Sequence, residues 1–72
     1  MSPPLPVVSG AEVIKALLRA EFAEVSQRGS HVKLRKGELM VIVPRHKELA
    51  SGTLRSIIRQ SGMGVDDFLN LL

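Results

Sequence analysis

From Val13 onward the apolar residues fall at helical spacing. Val13, Ile14, Leu17 and Leu18 form one stripe, with Lys15 and Arg19 off it. Just ahead, Ser9-Gly10-Ala11-Glu12 reads as a capping box, in which the Ser9 hydroxyl accepts from the Glu12 backbone while Glu12 reaches back to Ser9. The spacing predicts a helix from this box to Ala20 or Glu21. The period then changes to two. Phe22 to Gln27, His31 to Arg35 and Leu39 to Val43 read as short strands, with turns at Gly29-Ser30 and Lys36-Gly37. Leu39-Met40-Val41-Ile42-Val43 is apolar on both faces, which predicts the central strand, and Pro44 closes it. A basic loop from Arg45 to Ser51 follows. Gly52-Thr53 opens a second helix with Leu54, Ile57 and Ile58 as its stripe, and Gly62 stands where a left-handed cap ends it. Val65 to Leu72 predicts a short last helix, with Asp66 and Asp67 in its first turn and Phe68, Leu69, Leu71 and Leu72 on its apolar side.

The order helix, three strands, helix, short helix predicts an α+β fold. Each long helix has a single apolar stripe, so both should cover one face of a three-stranded antiparallel sheet. The other face stays open. Alternation puts His31, Lys33 and Arg35 on that open face and Val32 and Leu34 on the covered one. Met1 to Val8, with prolines at positions 3, 4 and 6, predicts an extended, mobile lead-in, and residues 9–72 a single domain.

At 72 residues the chain is near the lower limit for a self-sufficient core; such a domain buries only about 60% of its unfolded surface. It has no cysteine, which removes disulfides and thiolate metal sites. No apolar run approaches the ~18 residues needed to cross a bilayer, and no basic-then-apolar leader opens the sequence, so a soluble cytoplasmic protein is expected. The net charge of +3 is unevenly placed: eight basic residues stand against two acidic ones between Arg28 and Arg59, while the flanks are acidic. A basic centre suits a polyanion, either nucleic acid or an acidic protein surface, and equally describes a solvated face. With two phenylalanines and no tyrosine or tryptophan, an aromatic base-stacking platform is not expected.

Candidate chemistry centres on His31. Imidazole exchanges protons near neutrality, and Lys33 and Arg35 beside it, with Arg28 nearby, could engage phosphate. RNA brings its own 2′-hydroxyl nucleophile, so proton transfer and charge stabilisation suffice to cleave it. The same pattern also describes a plain polar sheet face. Ser30 lacks a Ser-His-Asp arrangement and reads as a turn residue. His46, in the basic loop, reads as surface or capping. Two histidines without clustered carboxylates supply no metal-ligand set, so no cofactor is expected. Gly52 and Thr53 could offer free backbone N–H groups to a phosphate or simply cap the helix. Arg55 and Arg59 form a ridge that either meets RNA or a partner, or is solvated.

Ser9-Gly10 with Glu12-Val13-Ile14, Gln27-Arg28-Gly29-Ser30-His31-Val32, Val43-Pro44 with His46, Gly52-Thr53-Leu54-Arg55-Ser56-Ile57 and Gln60-Ser61-Gly62 occur in an order that resembles the HicA-type toxins of type II toxin–antitoxin pairs. The resemblance implies a double-stranded-RNA-binding-domain-like fold and a ribosome-independent endoribonuclease acting on messenger RNA, which the missing ligand set makes metal-independent. It implies His31 as the functional histidine and a HicB-type antitoxin that masks the site; from the residues themselves, Arg28, Gly29, Ser30, Lys33 and Arg35 are expected on the RNA. A non-cleaving RNA-binding module of the same fold is the alternative, although Ser51-Gly52-Thr53 stands where such modules carry a lysine-rich run. The chain departs from the family in three places. Glu21 replaces a usual glycine, the hairpin after Arg35 is short, and Gly64 replaces a usual helix cap.

Overall fold

The computed structural model describes residues 4–72. The elements are α1 (Gly10–Arg19), β1 (Ala23–Arg28), β2 (His31–Lys36), β3 (Leu39–Pro44), α2 (Ser51–Gln60) and α3 (Val65–Leu69). The three strands form one antiparallel sheet, an α+β arrangement of the double-stranded-RNA-binding-domain kind with the helices against one face. Among the described residues, no helix is long and apolar enough to cross a membrane.

Helix α1 starts at the expected capping box: the Glu12 N–H donates to Ser9 Oγ (3.1 Å) and the Ser9 N–H donates to the Glu12 carboxylate (3.0 Å). It ends in a Schellman motif. The Phe22 N–H donates to the Leu17 carbonyl and the Glu21 N–H to the Leu18 carbonyl, both at 3.0 Å. The residue between these bonds, Glu21, is left-handed at φ 73°. Phe22 therefore serves as the buried anchor of the motif beside buried Leu17, and β1 begins one residue later than the alternation predicts. Leu18 is 46% exposed, so the buried side of α1 is Val13, Ile14, Ala16 and Leu17.

The sheet order is β1-β2-β3. The expectation that Leu39–Val43 is central is thus corrected: β2 is the middle strand and β3 an edge. Two consecutive two-residue hairpins can only produce a meander, with the second strand between the others. Arg28 pairs with His31 around Gly29-Ser30, and Lys36 pairs with Leu39 around Gly37-Glu38, one residue on from the predicted Lys36-Gly37 turn. Gly29 (φ 56°) and Gly37 (φ 59°) supply the left-handed first loop position of these Gly-X turns. The apolarity of β3 has two sources. Val41 and Val43 are fully buried, whereas Met40 (41%) and Ile42 (47%) stand in solvent on the open face.

Val32 and Leu34 of β2 join Val41 and Val43 beneath α1, α2 and Phe68 of α3. The chain before α1 takes part: Val8 is buried and its carbonyl accepts the Leu49 N–H at 2.8 Å. Met1 to Pro3 of the predicted lead-in lie outside the described residues. Gly10 makes the tightest approach. Its N–H donates to the His46 carbonyl (2.9 Å), and a Cβ there would overlap the Pro44 carbonyl oxygen and lie 2.9 Å from the Arg45 Cα. Helix α2 begins at Ser51 with Ala50 as its cap residue and no side-chain cap, and Gly62 (φ 75°) follows its end.

Candidate functional site

The open face is built by β2 and its two neighbours. Antiparallel pairing places directly opposed residues on the same face. From β2 that face carries His31, Lys33 and Arg35. From β1 it receives Arg28 opposite His31, Ser26 opposite Lys33 and Ala23 opposite Arg35. From β3 it receives Pro44, Ile42 and Met40 opposite the same three residues. Ser26, Arg28, His31, Lys33 and Ile42 line a shallow groove of about 370 Å³. His31 and Arg28 are exposed, and Lys33 is half-buried.

The two residues ahead of His31 act through the backbone. Gly29 turns the chain, and the Ser30 carbonyl accepts the Arg45 N–H at 2.6 Å, which extends the β2–β3 pairing one step past His31. The Gln27 side-chain amide donates to the Gly29 carbonyl (3.0 Å) and steadies the same turn. At the other end of the row, the Arg35 Nε donates to the Gly37 carbonyl (2.8 Å), so its guanidinium lies along the hairpin with its remaining donors free for an anion. His46 is exposed in the loop after β3, its carbonyl is held by Gly10, and it does not line the groove. Arg55 and Arg59 lie exposed on α2, in the helix layer on the other side of the sheet. Among the described residues, no three His, Asp or Glu side chains converge as metal ligands.

Sequence reasoning missed two groove residues. Ile42 was hidden by the assignment of β3 as a central strand. Counting back from the hairpin would have found it, since pairing Lys36 with Leu39 brings Lys33 opposite Ile42. Ser26 follows by the same counting from Arg28 opposite His31, whereas the place of Glu24 depends on a β-bulge. The β1–β2 register slips between Glu24 and Ser26, with Val25 as the extra residue. Strict alternation would put Glu24 on the face of Ser26 and Arg28. The bulge instead sets it opposite buried Leu34, and its carboxylate lies 4.0 Å from the Arg45 guanidinium. No acid is among the residues that line the groove.

A family model described as the HicA toxin of bacterial toxin–antitoxin systems matches residues 10–63, three-quarters of the chain and all of the sheet. Comparison with curated proteins returns no match.

Proposed function

The chain belongs to the HicA toxin family of bacterial toxin–antitoxin systems, and from that footing we propose that it is a metal-independent endoribonuclease that cuts messenger RNA on its open sheet face. An antitoxin partner follows from membership in a toxin–antitoxin pair; in this reading it is a HicB-type protein that covers the same face. The observation that carries the reading is the pair Arg28–His31, opposed across β1 and β2 beside Lys33 in a groove that no carboxylate lines. His31 takes the proton of the RNA 2′-hydroxyl as its oxygen attacks the adjacent phosphorus, or gives a proton to the departing 5′-oxygen. Arg28 and Lys33 stabilise the charge that builds on the phosphate oxygens. Gly29 and Ser30 set the turn that presents His31, and Arg35 holds a neighbouring phosphate. The reaction proceeds in the cytoplasm and needs no cofactor.

The test is cleavage of long single-stranded RNA in excess EDTA by the wild type and by His31→Ala, with folding of both checked by circular dichroism. The wild type alone should cut, with the variant slower by about 10²–10⁴-fold. Equal rates would remove His31 from the mechanism. Retention of RNA without cleavage by either protein would assign a binding module of the same fold.

A further inference from the structure

Two rows run side by side on the open face. Along β2 lie His31, Lys33 and Arg35; along β3, directly opposite each, lie Pro44, Ile42 and Met40. Pro44 is buried, but Ile42 and Met40 are 47% and 41% exposed. Two consecutive cations thus each face an exposed aliphatic side chain one strand away. From this juxtaposition we infer that Ile42 and Met40 seat the nucleobases of a single RNA strand whose phosphates lie over Lys33 and Arg35. The inference rests on the reading of this face as the RNA-cleaving surface, and it adds two base-seating residues and the lie of the strand across β2 and β3.

The geometry fits a single strand in repeat and in chemistry. Residues two apart on a strand are about 6.5 Å apart, and neighbouring strands about 4.8 Å. The first distance is in the range of the phosphate repeat of a polynucleotide, and the second lies within the step from backbone to base. A single strand is itself two-rowed, anionic on one side and flat and weakly polar on the other. An A-form duplex is not, because its base faces are closed in the stack and it offers only phosphates, hydroxyls and base edges. Ile42 and Met40 would find nothing apolar on a duplex. Both phenylalanines are buried, Phe22 at 3% exposed and Phe68 at 0%, so the described face has no aromatic ring to serve instead. Contact by aliphatic side chains is indifferent to base edges, which predicts weak sequence preference at these two positions.

A protein partner could also rest on exposed aliphatics. RNA is favoured because the apolar residues stand in register opposite cations, and the bulge at Val25 sets Glu24 opposite Leu34 rather than opposite Lys33 or Arg35. The opposed pairs Lys33–Ile42 and Arg35–Met40 repeat the same unit along one direction, as a polymer of identical units requires.

The experiment measures binding rather than cleavage, so it is independent of whether the chain is an active nuclease. Fluorescence anisotropy would follow the wild type, Ile42→Ser, Met40→Ser and Lys33→Ala on a 2′-O-methyl RNA oligomer, its abasic counterpart and a duplex, over a range of salt. Both serine variants replace half-exposed residues, and matching melting curves would establish that they fold. Ile42→Ser should weaken single-strand binding by roughly fivefold to tenfold through lost apolar burial, leave the salt slope unchanged, and have no effect on the abasic oligomer. Lys33→Ala should instead lower the slope by about 0.7. Wild-type affinity in both serine variants would overturn the inference and leave the stripe to a protein partner. So would tighter binding of the duplex than of the single strand, or an equal loss on the abasic oligomer.

Discussion

Among the described residues, Glu21 sits at the one non-glycine position with positive φ, at 73°, between the two hydrogen bonds that close α1. A side chain with a Cβ is disfavoured there by roughly 1–2 kcal/mol, because Cβ crowds the following carbonyl. Glu21→Gly removes that strain while leaving both bonds, Leu17–Phe22 and Leu18–Glu21, in backbone atoms the substitution does not touch. Against this, glycine loosens the unfolded chain by about 0.4–1 kcal/mol. The net gain is about 0.5–1 kcal/mol. For a domain of this size 1 kcal/mol moves the melting temperature by roughly 4–8 °C, so an upward shift of about 2–8 °C is expected by circular dichroism. Glu21→Ala is the decisive companion, since it removes the carboxylate but keeps Cβ, and it should gain little. If alanine stabilised as much as glycine, the benefit would come from lost charge and the strain argument would fail.

Three further outcomes follow from particular contacts. Gly10→Ala drives a Cβ into backbone atoms of Pro44 and Arg45, which cannot swing aside. A loss of about 3 kcal/mol or more is expected, enough to unfold much of a small domain at 25 °C. Gly52→Ala, with nothing within 4 Å of its Cβ, should be neutral or slightly stabilising, and equal melting of the two variants would refute the packing argument. The Ser9 backbone N–H, then the Ser9 hydroxyl and Lys15, hold the Glu12 carboxyl below its ordinary value. A lowered folded-state value contributes stability above the unfolded value, lost as pH falls through the folded one. The melting-temperature advantage of wild type over Glu12→Gln should therefore shrink below the ordinary carboxylate range; an advantage constant with pH would exclude the charge. Finally, Ala23→Glu/Glu24→Ala keeps the net charge but moves a carboxylate beside Arg35. It should weaken RNA binding several-fold in anisotropy titrations while Glu24→Ala alone does not, and equal affinities would show that the bulge does not sort charge.

What the sequence disclosed was local. The Ser9–Glu12 box, the turn at Gly29-Ser30, the stripe Leu54–Ile57–Ile58 and the facing of His31, Lys33 and Arg35 all follow from neighbours within a few positions, and each is present. The errors lie where pairing between distant segments decides. Apolarity on both faces of Leu39–Val43 pointed to burial, but the hairpins put the strand at an edge and left Met40 and Ile42 in solvent. No local pattern marks Val25 as an extra residue, because a bulge exists only relative to a partner strand. The reason for glycine at position 10 is likewise tertiary: it is the approach of the Pro44 carbonyl from a segment 34 residues away.

The position of His31 is set by hydrogen bonding rather than by burial. All six residues of β1 are exposed, so the strand that supplies Arg28 and Ser26 contributes nothing to the core. Rigidity on this face has to come from β2, the one strand paired on both sides, and His31 is its first residue. A strand end ordinarily frays. Here the Arg45 N–H continues the ladder to the Ser30 carbonyl, buried Pro44 lies opposite His31, and the next residue after Arg45 gives its carbonyl to the Gly10 N–H at the start of α1. The end of the sheet that bears the imidazole is thus tied into the first turn of a helix on the opposite face. Core substitutions elsewhere should reduce activity only in proportion to the fraction unfolded. A change at the Gly10–Pro44 contact should shift the geometry around His31 even in the molecules that remain folded.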